Sequence, residues 1–165
     1  MRALSLGLGW IVATIVACRA GTPAPPVDFS AAAEDSIRGV VRSESERMLQ
    51  VMRGRDADSV LAFYGRHTAY VGNGEIGNWD AIVAGTKPRY ATYTKVECRW
   101  DEGFRVDIRA PGSAVVTAML RCAKADTSGR SWAENTARTE VLAVEDGRWR
   151  IVAVHESTKP GDELK

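Results

Sequence analysis

The sequence predicts an α+β domain in which N-terminal helices pack on a strongly curved antiparallel sheet. Three observations predict it. Residues 28–53 repeat apolar side chains at helical spacing. From about Tyr90 onward the chain is β-rich and broken by turn residues. Helices precede strands instead of alternating with them, which is the order of a layout with helices gathered on one sheet face. The 165 residues, 45% of them hydrophobic, suffice for one such core plus appendages.

The first segment stands apart from that core. Met1-Arg2 is a short positive start, and residues 3–17 are all apolar or small. That run is shorter than the ~20 residues a membrane-spanning helix needs and suits the apolar region of a signal peptide. It ends Ile15-Val16-Ala17-Cys18, with a small residue directly before a cysteine. The segment resembles a bacterial lipoprotein signal, in which cleavage precedes the cysteine and its thiol carries the lipid. The resemblance implies a signal peptide over residues 1–17, lipidation of Cys18 and an exported, membrane-anchored protein. A plain secretory signal with Cys18 incidental is the other reading. RAGTPAPPV, residues 19–27, is Pro-rich and suits an extended tether over residues 18–30. Buried acyl chains hold such a protein at about 0.8 kcal/mol per CH₂.

In the first helix Ile37, Val41, Met48 and Met52 share a face, with Arg38, Arg42, Glu46 and Arg47 on the other side. Gly54 ends it. Asp56 or Asp58 caps a short second helix containing Val60, Leu61, Phe63 and Tyr64. Residues 67–71, HTAYV, read as a short strand. GNGEIGN, residues 72–78, reads as a glycine-rich loop, since no P-loop lysine follows it. Residues 79–84 form a third helix that Gly85 and Pro88 break. Strands follow over residues 93–100, 104–109, 113–123, 132–144 and 149–157. Residues 110–113 turn between two of them, and Asp146-Gly147 makes a two-residue hairpin turn. The globular domain covers residues 31–158, and residues 159–165 form a polar tail.

The net charge is +1 with both signs mixed along the chain, and no basic run marks a nucleic-acid partner. His67 and His155 lie far apart with no tight carboxylate spacing, so neither a metal nor another cofactor is expected. His67 reads as a surface residue. No G-x-S-x-G run appears. Three cysteines are an awkward number in an exported protein. Lipidation of Cys18 leaves Cys98 and Cys122 as an even pair, either bonded in an oxidising compartment or buried as two separate thiols. The turn at Pro111-Gly112 sets Asp101 opposite Cys122, so a bond requires an irregularity around residues 101–103.

Residues 53–82, the segment GSAVVTAMLRC at 112–122 and the ending DGRWRIVAVHES at 146–157 resemble, in that order, members of the nuclear transport factor 2-like superfamily in its SnoaL-like branch. Trp149, Val152, His155 and Ser157 are also similar to a W-x-x-V-x-x-H-x-S pattern of calmodulin-dependent kinase association domains. The resemblance implies a cone-shaped fold whose sheet and helices enclose a pocket, and a homodimer formed through the open sheet face. It implies no single reaction, because the superfamily holds isomerases, cyclases, dehydratases and proteins without known chemistry. Its isomerases use a tyrosine on the first helix, where this chain has none. Its kinase-type pockets place an arginine directly after the histidine, where this chain has Glu156.

With Asp146-Gly147 as the turn, Leu142 faces Ile151, Glu140 faces Ala153 and Arg138 faces His155. Glu140, Arg138 and His155 then share one face. If that face is concave, His155 and Glu140 are candidate catalytic acid and base and Arg138 a ligand contact. If it is convex, Arg138 and Glu140 are an ordinary surface ion pair. A β-bulge in this hairpin moves these side chains to the other face. Tyr70, Trp79, Tyr90 and Tyr93 are candidate pocket lining, or core. Three functions remain: binding of a small apolar or amphipathic molecule, a lyase, isomerase or hydrolase using His155 and Glu140, and a homodimeric interaction module.

Overall fold

A computed structural model describes residues 30–101 and 103–161. The expected leader over residues 1–17, Cys18, the tether up to Phe29 and residues 162–165 of the tail lie outside the described residues.

Helix α1 is Ala31–Gly54. The Ser30 hydroxyl caps it by accepting from the Ala33 amide, which satisfies one of the donors a helix start leaves open. Its buried side chains, Val41, Ser45, Met48 and Leu49, recur three and four apart, so one stripe faces the sheet. Arg55 ends the helix in the left-handed conformation and donates to the carbonyls of Tyr93 and Thr94. That fixes the helix end to the start of a strand. Helix α2, Ala57–Leu61, is capped by Asp56. It is shorter than expected, and Tyr64 leaves it to open strand β1, Tyr64–Gly72.

The expected loop at residues 72–78 is instead a hairpin. Asn73 and Gly74 both take positive φ, the conformation of a two-residue turn, and β2, Glu75–Gly77, pairs back on β1. Helix α3, Trp79–Thr92, does not stop at Gly85 and contains Pro88. Proline removes the donor for the Ala84 carbonyl, but Ala84 is solvent-exposed, so water can take that carbonyl. No residue of α3 is buried.

The remaining strands are β3 (Tyr93–Trp100), β4 (Arg105–Ala110), β5 (Ser113–Asp126), β6 (Ser131–Glu145) and β7 (Arg148–Pro160). The order across the sheet is β2-β1-β7-β6-β5-β3, with β4 also on β5. β1 pairs parallel to β7, so the sheet is mixed and not wholly antiparallel: the first strand lies beside the last, reached through the whole intervening chain. Asp146 and Gly147 have φ of 50° and 72°, as the expected hairpin turn needs.

The cores lie between α1 and the inner sheet face. One holds Val41, Met48, Phe63, Val106, Val116, Leu142, Ile151 and Val154. The other holds Leu49, Tyr93, Val96, Leu120 and the two cysteines. Cys98 and Cys122 are opposite each other and bonded. The shift that allows this is made in two places. One residue is absorbed between Ile108 and Ala110. The rest is absorbed between Trp100 and Arg105, where five steps on one edge answer three on β5, from Leu120 to Thr117.

Candidate functional site

The site begins with one extra residue. Leu142 pairs with Ile151, but Val141 pairs with Ala153, so Val152 has no partner and forms a bulge. Beyond it every side chain of β7 is on the opposite face from the simple register. Arg138 therefore faces Glu156, not His155. His155 pairs with Thr139, is solvent-exposed and lies outside the cavity. The expected trio Glu140, Arg138 and His155 is corrected to Glu140, Arg138 and Glu156.

Strand β6 carries a polar residue at alternate positions on its inner face, Glu134, Thr136, Arg138 and Glu140, before Leu142 joins the core. Arg138 is the hub, with its side chain 9% exposed. Its Nε donates to Glu140 Oε1 at 2.5 Å, Nη1 to Glu156 Oε2 at 2.8 Å and Nη2 to the Tyr64 hydroxyl at 2.6 Å. Tyr70 donates its hydroxyl proton to Glu156 Oε1 at 3.1 Å. Gly72 leaves room for it, since a Cβ there would stand 2.2 Å from the Tyr70 oxygen. Burial works against the Arg138 charge, but Tyr64, Glu140 and Glu156 outweigh it and hold the guanidinium pKa above its ordinary value. Glu140 is 1% exposed, sealed beneath the arginine.

Above this network is a cavity of about 550 Å³, within the range of small-molecule sites. Tyr64, Tyr70, Tyr90, Tyr93, Arg138 and Glu156 line it, with Leu120, Thr136 and Thr158 on the sheet wall and Met48 and Met52 of α1 opposite. Helix α3 roofs it with Ala81, Ile82, Gly85, Thr86, Arg89 and Tyr90, a spacing that places all six on one face. At the far end Lys124 is ion-paired with Glu134, whose other oxygen accepts from the Trp132 indole. The tyrosines stay protonated: burial first, then Glu156, pushes Tyr70 up to about 12. Burial also takes Tyr93 to about 12 and raises Tyr90 and Tyr64.

The structure thus brings Tyr70, Tyr90, Tyr93 and Arg138 into one cavity, with Glu140 directly behind it. Trp79 lies elsewhere, in an outer groove with His67, Glu145 and Arg150, because it stands two residues before Ala81, the first to face the cavity, and so points to the other side of α3. Sequence reasoning missed Tyr64, assigned to a helix, and Glu156, which the simple hairpin register puts on the opposite face from Arg138 and Glu140. The alternating polar run of β6 was the available signal. Among the described residues no group of His, Cys, Asp and Glu is placed to hold a metal ion, and no helix is long and apolar enough to cross a membrane.

Residues 41–160 match the SnoaL-like domain family. No curated protein matches the chain. Among solved structures, the chain is similar to a protein assigned as a scytalone dehydratase from Novosphingobium aromaticivorans, with 9% identity and a TM-score of 0.72 over 82% of this chain and 93% of that one. It is also similar to one assigned as a calcium/calmodulin-dependent protein kinase II association domain from Xanthomonas campestris, with 17% identity and a TM-score of 0.63 over 73% and 86%. A nuclear transport factor 2-like superfamily protein from Salmonella enterica has 14% identity and a TM-score of 0.64 over 80% and 96%. At these identities the shared property is the fold.

Proposed function

Because this chain belongs to the SnoaL-like domain family, and because the carboxylates of its cavity floor are ion-paired, we propose that it binds a small amphipathic molecule there without transforming it. The observation that carries this is the state of the carboxylates. Of those lining the cavity, Glu134 and Glu156 are ion-paired and Glu75 is solvent-exposed. Glu140 is bound to Arg138. A general base must be placed to take the proton it removes, and here Arg138 engages both Glu140 and Glu156, with Tyr70 on the second oxygen of Glu156. The tyrosines and methionines supply apolar surface, and the tyrosine hydroxyls give orientation.

A thermal-shift screen of the full chain with neutral steroid-like, aromatic and polyketide-like molecules tests this. A ligand at a hundred times its Kd stabilises by about 2.7 kcal/mol, which is ~10 °C in Tm for a domain of this size. The reading fails if no member of such a screen shifts the transition. It also fails if a bound member is turned over, since that assigns an enzyme of the lyase, isomerase or hydrolase type.

Export and anchoring belong to the same proposal. A cysteine-linked lipid at Cys18, after an apolar leader, places the cavity beside a membrane, facing the periplasm or the cell exterior, where amphipathic molecules partition. Support comes from residues 1–18 of the sequence alone. Mass spectrometry of the membrane fraction finding Cys18 unmodified overturns it. A homodimer through the outer sheet face is supported by the half-buried Val115, Met119, Val141 and Ala153 there. Sedimentation of the full chain as a monomer overturns that.

A further inference from the structure

The floor of the cavity has the look of an anion site, an arginine between tyrosines, but its charge count is of the other sign. Arg138 contributes one positive charge, while Glu140 and Glu156 contribute two negative ones, leaving a net charge of −1. Three of the five N–H donors of Arg138 are already engaged, one each with Glu140, Glu156 and Tyr64. A ligand carboxylate placed here meets Glu156 at the cavity wall, with the charge of Glu140 directly behind Arg138. Lys124 is committed to Glu134; Arg89 lines the roof and its charge reaches Tyr70 and Tyr93, but it is solvent-exposed and so partly screened.

Tyr64 has the opposite arrangement. Its oxygen accepts from Arg138 Nη2, so its own proton points elsewhere, and no described residue accepts it. The charge on Arg138 polarises that O–H and strengthens it as a donor. Tyr70 differs, because its proton goes to Glu156. Tyr90 also lines the cavity, and no described residue accepts its hydroxyl proton.

Resting on the proposed binding role, we propose that the ligand is a neutral carbonyl compound with an apolar body. Its oxygen accepts from the Tyr64 hydroxyl, and the Glu140–Arg138–Glu156 cluster turns carboxylates away. A carbonyl fits better than an alcohol because it brings no proton that needs an acceptor of its own.

Three probes of one shape test this on the full chain: 6-acetyl-2-(dimethylamino)naphthalene, the matching 6-carboxylate, and the matching 6-ethyl hydrocarbon. The ketone is expected to bind at least tenfold more tightly than the carboxylate. Its bound carbonyl stretch is expected to fall below the value in alkane solvent, a readout that needs no variant. Tyr64→Phe is expected to weaken the ketone about tenfold, the upper range for one hydrogen bond, and to leave hydrocarbon affinity within about twofold, which also shows that the variant's cavity is intact. Carboxylate binding as tight as ketone binding overturns the inference, as does ketone affinity unchanged in Tyr64→Phe. Equal ketone and hydrocarbon affinity with no shift of the carbonyl stretch overturns the inference and leaves the binding role standing. Failure of all three probes to bind overturns both.

Discussion

Removing the Cys98–Cys122 bond should destabilise the protein by an amount the loop length sets. The two residues are 24 apart in sequence. Cross-linking a loop of that size removes about 12 cal/mol/K of entropy from the unfolded chain, about 3.5 kcal/mol at 25 °C. The folded state loses little else on reduction. β3 keeps its register along β5 from Tyr93 to Trp100, and both sulfurs remain packed in the core they share with Leu49, Val96 and Leu120. Urea unfolding of the oxidised and reduced protein should therefore show a loss near that value, about 10–15 °C in Tm, together with a larger m-value, because the uncrosslinked chain exposes more surface. The double variant Cys98→Ala, Cys122→Ala should lose more than reduction does, since it also removes two buried sulfurs. If reduction costs under about 1 kcal/mol at unchanged m-value, the argument from the unfolded chain is wrong.

Three more outcomes follow from the site. Glu140→Ala leaves a buried guanidinium short of one partner and should cost about 3–5 kcal/mol in urea unfolding; a loss under 1 kcal/mol contradicts the burial described. His155→Ala should stay within about 0.5 kcal/mol of the parent with ligand affinity unchanged, and Glu156→Gln should change affinity; the reverse pattern in a titration contradicts the Val152 bulge. Tyr70 and Tyr93 titrate near 12 when folded, above the ordinary tyrosine value near 10. The folded state therefore holds protons that the unfolded chain releases, so stability is full below about pH 10 and falls as pH rises towards 12. Unfolding free energy against pH, read beside phenolate absorbance, checks this; stability that is flat or rising over that window refutes it.

The parts of the fold legible in the sequence were those decided locally. Asp146-Gly147 announces its own turn, and the alternation over residues 93–100 matches β3 to the residue. The helix-before-strand order and the resemblance to the SnoaL-like branch carried the architecture. What stayed hidden depends on distant partners. Ile151, Val152 and Val154 are all good strand formers, so nothing local shows that Val152 is the odd residue. It is the pairing with β6 that makes it so, and with it the exchange of His155 for Glu156. Gly85 and Pro88 are strong breakers, and the helix passes through them because its inner face roofs a cavity and its outer face is wet. Tyr64 follows an apolar run that continues the helical pattern, and only the alignment with Ile151 on β7 draws it into the sheet. The polar alternation along β6 was visible in the residues. Its meaning waited on knowing which face is concave.

The parallel pairing of β1 with β7 has a temporal consequence. The strand that carries Tyr64 and Tyr70 emerges early in synthesis, yet the neighbour that completes its hydrogen bonds runs to Pro160 and is made last. Closing contacts across such a stretch of chain is slow, so β1 must wait for Glu156 on β7 before the floor beneath its tyrosines can form.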